Sequence, residues 1–483
     1  MKLNPKYILI IIVLLTLSLR FYLAFSTQYF DSDSSYFNAR IIEKIVQEKT
    51  PFSYDELSYG GREIIYPQLF HYIMSFFSFI PDFLKIIPEI FIASLTIIAY
   101  FIAKKITKDP LVALITSLLV SFSPALLYNT LNQVSSYALA IPIFYMMVLC
   151  LMDINSKKSF YTFIILSFIL PLIHPISFLL SFSLLFYLIL SFSESIELDK
   201  LSRESILFSF FLIFLINFII FKKAFLSYGL DIIWQNIPPG LLAEHFKPPT
   251  ILNSLYLIGL LPLIFGCIGV FQGYFKQKDK NITLLTSTLL TIILLLLLKM
   301  IDLSTGILFF AISLTLISSV SISKAIKYIS ITKAHKLKTY FIILGLFIVF
   351  LIVIIPSFFS SASIITPFEI STLQAIKETS QEGITILAPL SQGNIVTYFT
   401  NRKNIADSNF ILSKNPEQRI KDIKLAYTTI SESKALEILH KYNVSYIFIS
   451  KEAQRVYNVQ RPIYLENEKC FKQKKSTVYE VKC

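Results

Sequence analysis

The sequence predicts an α-helical polytopic membrane protein of about 11 transmembrane helices, followed by a small extracytoplasmic α/β domain at its C-terminal end. Three observations predict it. Of 483 residues, 54% are hydrophobic and only 16% charged, with a mean hydropathy of +0.65, which excludes an ordinary soluble domain of this size. Apolar runs of roughly 17–22 residues recur, each long enough to cross a bilayer. At about Ser360 the composition turns polar and charged and stays so to Cys483. The net charge of +13 and pI near 9.3 raise the question of nucleic acid. Most basic residues outside the tail, however, sit in short loops between apolar runs, as cytoplasmic loops do under the positive-inside rule. The excess charge therefore reads as topology and attraction to anionic lipid headgroups, not as nucleic-acid binding.

The first apolar run, Tyr7 to Phe25, carries Arg20 near its far end and has no small-residue cleavage site behind it. It reads as a retained first span leaving a cytoplasmic N-terminus marked by Lys2 and Lys6. Residues 26–85 form a long external loop with two helical stretches, Tyr36 to Glu48 and Tyr66 to Ile80. The second is apolar but bounded by Pro67 and Pro81, and at about 14 residues it suits an interfacial helix better than a span. Spans follow at 86–104, 111–128, 136–153, 159–175, 177–193 and 205–221, with lysines in the loops at 104–108 and 157–158. A second external loop covers 222–252. Further spans at 253–275, 282–299, 304–321 and 340–359 bracket the basic loops at 276–278 and 324–338. Counting Tyr66 to Ile80 as a span would put the lysine clusters outside. The domains are thus a transmembrane domain, 1–359, and an extracytoplasmic domain, 360–483.

In the tail, Ile384 to Ala388, Val444 to Ile449 and Val478 to Val481 read as strands. Thr429-Ile430-Ser431-Glu432 opens an amphipathic helix ending near His440, with Glu432 placed as in a capping box. Cys150 and Cys267 lie inside apolar runs and read as buried hydrophobes. Cys470 and Cys483 are close enough in an extracytoplasmic tail to pair.

The chemistry-bearing residues gather in the external loops. Asp31 and Asp33 stand one residue apart just after the first span. Paired carboxylates at a membrane surface suit a hard divalent cation such as Mg or Mn, which a membrane enzyme uses to neutralise a departing phosphate. Glu244 in the second loop completes an oxygen-rich set with Asp31 and Asp33. Lys222, Lys223, His245 and Lys247 are placed to hold phosphate oxygens. The plainer alternatives are helix-capping acids and a basic collar at the membrane surface.

The order of these motifs resembles a known family. One span is followed by an Asp-x-Asp loop with Arg40, by Tyr54-Asp55-Glu56-Leu57-Ser58-Tyr59-Gly60-Gly61-Arg62, by a Tyr66-Pro67 helix bearing His71, and by a later Ala243-Glu244 before Pro248-Pro249. This is similar to the catalytic subunit of archaeal oligosaccharyltransferases and, more broadly, to GT-C membrane glycosyltransferases. The resemblance implies a GT-C-like transmembrane domain, with Asp33 and Glu244 as the catalytic, metal-site carboxylates. It implies a polyprenyl-phosphate-linked sugar donor, with Arg40, Arg62 and His71 in phosphate or sugar contacts. The stretch Ile384 to Asp407, with Gly393, Tyr398, Asn401-Arg402 and Ala406-Asp407, resembles the start of that family's external domain.

The departures are specific. The family's Trp-Trp-Asp-Tyr-Gly segment, which grips the acceptor sequon, falls at Pro389-Leu390-Ser391-Gln392-Gly393, where only the glycine survives. A second acidic pair falls at Gln133-Val134-Ser135-Ser136 and has no acid, and the arginine of a late span falls near Ile307 and is absent. Asp33 to Arg40 is one residue longer than the family pattern. These features favour a glycosyltransferase with a non-sequon acceptor. A non-catalytic homologue that binds lipid-linked glycan is the alternative, and a transporter ranks last because the acids collect in loops, not at mid-membrane. The topology is testable: in intact cells or spheroplasts, an impermeant thiol reagent should label a cysteine placed at Ser408 but not one at Lys278 or Ser330. Labelling at Lys278 from outside would reverse every loop after residue 66.

Overall fold

Proline and glycine set the breaks between helices. The computed structural model describes residues 4–246, 248, 250–331 and 365–483, and these fall into two compact units. One comprises Met1–Gln28, Pro67–Ile220 and His245–Ser361; the other comprises Tyr29–Tyr66, Phe221–Glu244 and Ala362–Cys483. The expected span at 340–359 lies outside the described residues.

The first unit is helical. Among the described residues five helices are long and apolar enough to cross a membrane, or up to seven if each bent pair counts as one span. Pro5–Phe25, Phe83–Thr107, Lys280–Leu297 and Leu303–Ile331 match expected spans, and the helix from Lys200 runs on to Tyr228. Tyr137–Met152, Lys157–Ile173 and Ser177–Ser193 are shorter apolar helices at expected positions. The helix Leu69–Phe76 has only 8 residues, in keeping with a segment too short to span.

Two expected spans are broken. The one at 111–128 is Pro110–Ser121 and Pro124–Thr130 with a 41° bend, because Ser123 precedes a proline and is held extended (φ −63°, ψ 126°). The one at 253–275 is Ile251–Ile258 followed by a helix from Leu260, bent by 76°. Gly259 makes that break with φ +86°, a conformation glycine adopts without a Cβ penalty. Cys267 proves exposed, not buried; it sits on an apolar helix whose small face, Gly266 and Gly269, is the packed one. A Cβ on Gly269 would stand 2.6 Å from the Ile317 carbonyl oxygen, so glycine permits this close helix pairing.

Within this unit a buried ion pair ties three helices. Arg20 Nε donates to Glu89 Oε2 at 2.6 Å, and Arg20 Nη2 donates to Thr130 Oγ1 at 2.9 Å. Glu89 Oε1 accepts from the Asn132 amide at 2.8 Å. Both charged side chains are fully buried.

The second unit has an α/β core. A two-stranded ribbon, β1 (Tyr54–Asp55) and β2 (Arg62–Glu63), precedes a five-stranded sheet of β3 (Thr385–Leu387), β4 (Lys403–Asn404), β5 (Val444–Phe448), β6 (Phe471–Lys475) and β7 (Val478–Val481). The sheet order is β4-β3-β5-β7-β6. Strands β4, β3 and β5 run parallel, joined by helical crossovers, while β7 and β6 form an antiparallel hairpin on the other edge. The strands expected at 384–388, 444–449 and 478–481 are all present, and Cys470 and Cys483 form a disulfide. The expected capping box at Glu432 is corrected: Ser431 is the N-cap, accepting from Lys434 N, and Glu432 instead accepts from Asn467 Nδ2. A true capping box opens the Pro367–Thr379 helix through Thr366 and Glu369.

The ion pair generates a prediction. Arg20→Met strands a buried Glu89 and should cost about 3–5 kcal/mol. Adding Glu89→Gln should recover much of that loss. Thermal denaturation of detergent-solubilised protein reads both, and equal stability of the single and double variants would show that the charges are not coupled.

Candidate functional site around Asp33

Ser32 is extended and caps the helix Asp33–Glu48, accepting from Ser35 N. Asp33 is therefore the first helical residue, a favourable place for a negative charge. Its carboxylate is buried at 7% exposure. Oδ2 accepts from Asn394 Nδ2 at 2.7 Å, and Oδ1 accepts from the Ile395 backbone N–H at 3.0 Å. Both donors belong to the first turn of the helix Gly393–Thr400. The two helices also meet through Tyr36, packed against Tyr398 and Phe399 at ring separations of 5.3 Å, and through Tyr398 Oη donating to Glu43 at 2.6 Å. Burial, opposed by these hydrogen bonds, pushes the Asp33 carboxyl up from 3.8 to about 7.

The other expected residues have other partners. Arg40 holds Asp55 in a two-pronged pair at 2.9 and 2.5 Å. Arg62 is buried, donating to the carbonyl oxygens of Asn409 (2.5 Å) and Ile411 (3.1 Å) and facing Asp407 at 3.4 Å. Asp407 in turn accepts from Ser58 Oγ at 2.5 Å and Asn404 Nδ2 at 3.1 Å. His71, in the other unit, is fully buried, and burial lowers its pKa to about 3, so it is neutral at pH 7. Glu244 and His245 are exposed at the end of the helix Pro239–His245. Lys247 lies outside the described residues.

The three carboxylates expected to hold a metal are not gathered: among the described residues no group of three His, Cys, Asp or Glu side chains could hold one. Each Asp33 oxygen accepts one N–H, which leaves it one lone pair, and no three-ligand set surrounds it among the described residues. The donor set as it stands does not fit a divalent ion. Sequence reasoning missed Asn394, Ile395 N–H and the Glu43–Tyr398 pair as the partners of the first loop. No local signal marks a contact between residues more than 350 positions apart.

Comparison with known proteins places this arrangement. No protein-family model matches the chain, and no curated protein matches it either. Solved structures do. The apo crystal structure of the Archaeoglobus fulgidus oligosaccharyltransferase superposes with a TM-score of 0.71, covering 97% of this chain and 72% of that one at 13% identity. The protein has the oligosaccharyltransferase fold. A structure of oligosaccharyltransferase AglB from the same organism, in complex with an inhibitory peptide and a dolichol-phosphate, matches with a TM-score of 0.71 over 92% of this chain and 69% of that one, also at 13% identity. A complex of the A. fulgidus enzyme with Zn and sulfate matches at 0.69, with 14% identity over 96% of this chain and 71% of that one.

Gly393 is fixed by a close local contact. A Cβ there would lie 2.4 Å from the Ala406 carbonyl oxygen and 2.7 Å from Asp407 Cβ. The glycine lets its helix press against the strand-end segment that carries Asp407. Arg402 is likewise structural, donating through Nη2 to the carbonyls of Lys377 (3.2 Å) and Ser380 (2.8 Å) at the end of the Pro367–Thr379 helix.

The raised Asp33 pKa has a defined consequence for stability. A carboxyl raised on folding takes up a proton, so its stabilising contribution is complete below pH 3.8 and is lost as pH rises to about 7. That span corresponds to on the order of 4 kcal/mol. Asp33→Asn, with Asn394 flipped to accept, removes the slope. In melting experiments from pH 5 to pH 8 the wild type should lose stability more steeply than the variant, and parallel profiles would refute the buried, uphill carboxyl.

Proposed function

We propose that the protein is a membrane glycosyltransferase that moves a sugar or glycan from a polyprenyl-phosphate-linked donor to an acceptor other than the Asn sequon, on the extracytoplasmic face. The observation that carries this reading is the oligosaccharyltransferase fold across 97% of the chain, together with a buried acid, Asp33, at the head of the first loop. The dolichol-phosphate in one neighbour's complex supports a lipid-linked phosphate as donor. Asp33 is the proposed essential carboxylate. Each of its oxygens keeps a second lone pair beside the one used by Asn394 or Ile395, and a pKa of about 7 suits a group that accepts a proton from an acceptor hydroxyl at neutral pH. Arg40 and Arg62 position the loop through Asp55 and Asp407. His245 and Lys247 supply the proposed phosphate contacts, and Glu244 is the second proposed catalytic carboxylate. Pro389 to Gln392, in place of the sequon-gripping residues, supports a different acceptor. No step is assigned to a metal.

The occupied Asp33 oxygens favour one second reading, a non-catalytic homologue that retains lipid-linked glycan. One experiment separates the two. Purified protein in nanodiscs is given polyprenyl-linked glycan with either a sequon peptide or a mixture of hydroxyl-bearing membrane acceptors. Transfer to the mixture and none to the peptide is expected. Asp33→Asn should lower transfer about a hundredfold, as losses of positioned acid–base groups do. Full activity in a stable Asp33→Asn protein would sink the catalytic assignment. Retention of lipid-linked glycan with no transfer by the wild type would establish the second reading.

A further inference from the structure

The second unit holds a cleft of about 500 Å³ away from Asp33. One wall comes from the short turn Gly229–Trp234 and the residues after it, the other from the start of the helix Pro416–Thr428. Trp234, Ile237, Pro238, Pro239 and Leu242 give it an apolar floor. Asp231 and Asn236 face the cleft from the first wall, and Asn415, Glu417 and Gln418 from the second.

The first wall is held in a costly conformation. Gln235 and Asn236 are both left-handed, at φ 56° and 55°, and neither is glycine. Consecutive non-glycine residues of this kind persist where surrounding structure over-determines them, often at ligand sites. Here the turn is closed by Asn236 N donating to Asp231 O (3.2 Å) and Ile237 N donating to Trp234 O (3.0 Å). Asn236 Nδ2 donates to Phe410 O at 3.1 Å, which ties the turn to the tail. On the second wall Gln418 Nε2 donates to Asp422 at 2.7 Å, which orients its amide.

The chemistry of the lining narrows the ligand. Two acids, Asp231 and Glu417, face one cation, Lys421, and Lys421 is already paired with Glu417 at 2.8 Å. That balance repels phosphates and acidic sugars. The many polar groups make the cleft a poor host for a prenyl chain. A flat indole beside amides and carboxylates suits a ligand with one C–H-rich face and a rim of hydroxyls, which stacks on the ring while its hydroxyls pair with the polar rim. The volume falls within the range of small-ligand sites. We infer that this cleft is a binding site for a short neutral saccharide, with Trp234 as the stacking platform and Asp231, Asn236 and Gln418 as hydroxyl partners. The choice of a saccharide over other polyols rests on the proposed transfer reaction.

Trp234 is the sole tryptophan among 483 residues, so its emission reports this cleft alone. Full-length protein in nanodiscs is titrated with chitobiose, cellobiose and mannobiose, three neutral disaccharides. At least one should shift or quench the emission saturably, with a Kd on the order of 1 mM, the affinity of a weak open site. Asp231→Ala and Gln418→Ala, both at exposed positions, should each weaken that response tenfold or more. No saturable response to any of the three sugars, a response untouched by both substitutions, or a response to a proline-rich peptide alone would overturn the inference. Binding without transfer by the wild type would sink the transferase and leave the cleft standing. Transfer without any sugar-dependent change in emission would do the reverse.

Discussion

The second unit depends on one buried carboxylate seated on the first turn of another helix. Asp33 meets the Ile395 N–H and the Asn394 amide, and through them the first loop is fastened to the C-terminal sheet domain. Two helix N-termini converge on this carboxyl, and their dipoles soften without cancelling the cost of burying it ionised. Around it the fit is specific: Gly393 has no room for a side chain, Tyr36 wedges against Tyr398 and Phe399, and Glu43 takes the Tyr398 hydroxyl. A second anchor, Arg62 with Asp407, Ser58 and Tyr59, fixes the far end of the same loop. Tyr59 Oη donates to the Asp407 carbonyl at 2.7 Å. An acid used this way is expensive to ionise, which is why its pKa rises despite two good donors.

Much of the helical unit was legible because bilayer thickness imposes a length on every apolar run. The positions of Phe83–Thr107, Ser177–Ser193 and Lys280–Leu297 follow from hydropathy alone. The breaks at Ser123 and Gly259 were written in the sequence as a proline and a glycine, but such residues also occur in unbroken spans. Pro88 and Pro142 lie inside continuous helices. What decides is whether neighbouring helices satisfy the freed backbone groups, and that is tertiary information. In the tail, β-branched runs exposed the three central strands, whereas β4 and β6, two residues long or lysine-rich, carried no pattern strong enough to read.

The candidate site was legible in part. Its order of motifs pointed to the oligosaccharyltransferase fold, which the structural likeness bears out. Its geometry was not legible, because carboxylates attract cations and N–H donors equally well and a sequence does not say which one arrives. Asp31, Asp33 and Glu244 looked like ligands waiting for an ion. Asp33 instead meets donors supplied by Asn394 and Ile395, at the start of the helix Gly393–Thr400, while Glu244 stays exposed. Arg40 and Arg62 looked like phosphate hooks, and both have acids or carbonyls of their own chain within reach. Polar residues whose partners lie far along the chain read as functional until those partners are known.

The separation of those partners has a consequence for biosynthesis. Asp33 and Asn394 stand 361 residues apart in the chain. At ordinary elongation rates the ribosome needs roughly 20–70 s to reach the second after making the first. Through that interval the Asp33–Glu48 helix has no sheet domain to fold against, and Tyr36, which packs on that domain, stays uncovered. The helical unit can assemble span by span as it is made. The second unit closes only once the residues from Gly393 onward have been made, so truncations anywhere upstream of Gly393 leave the first loop without its counterpart.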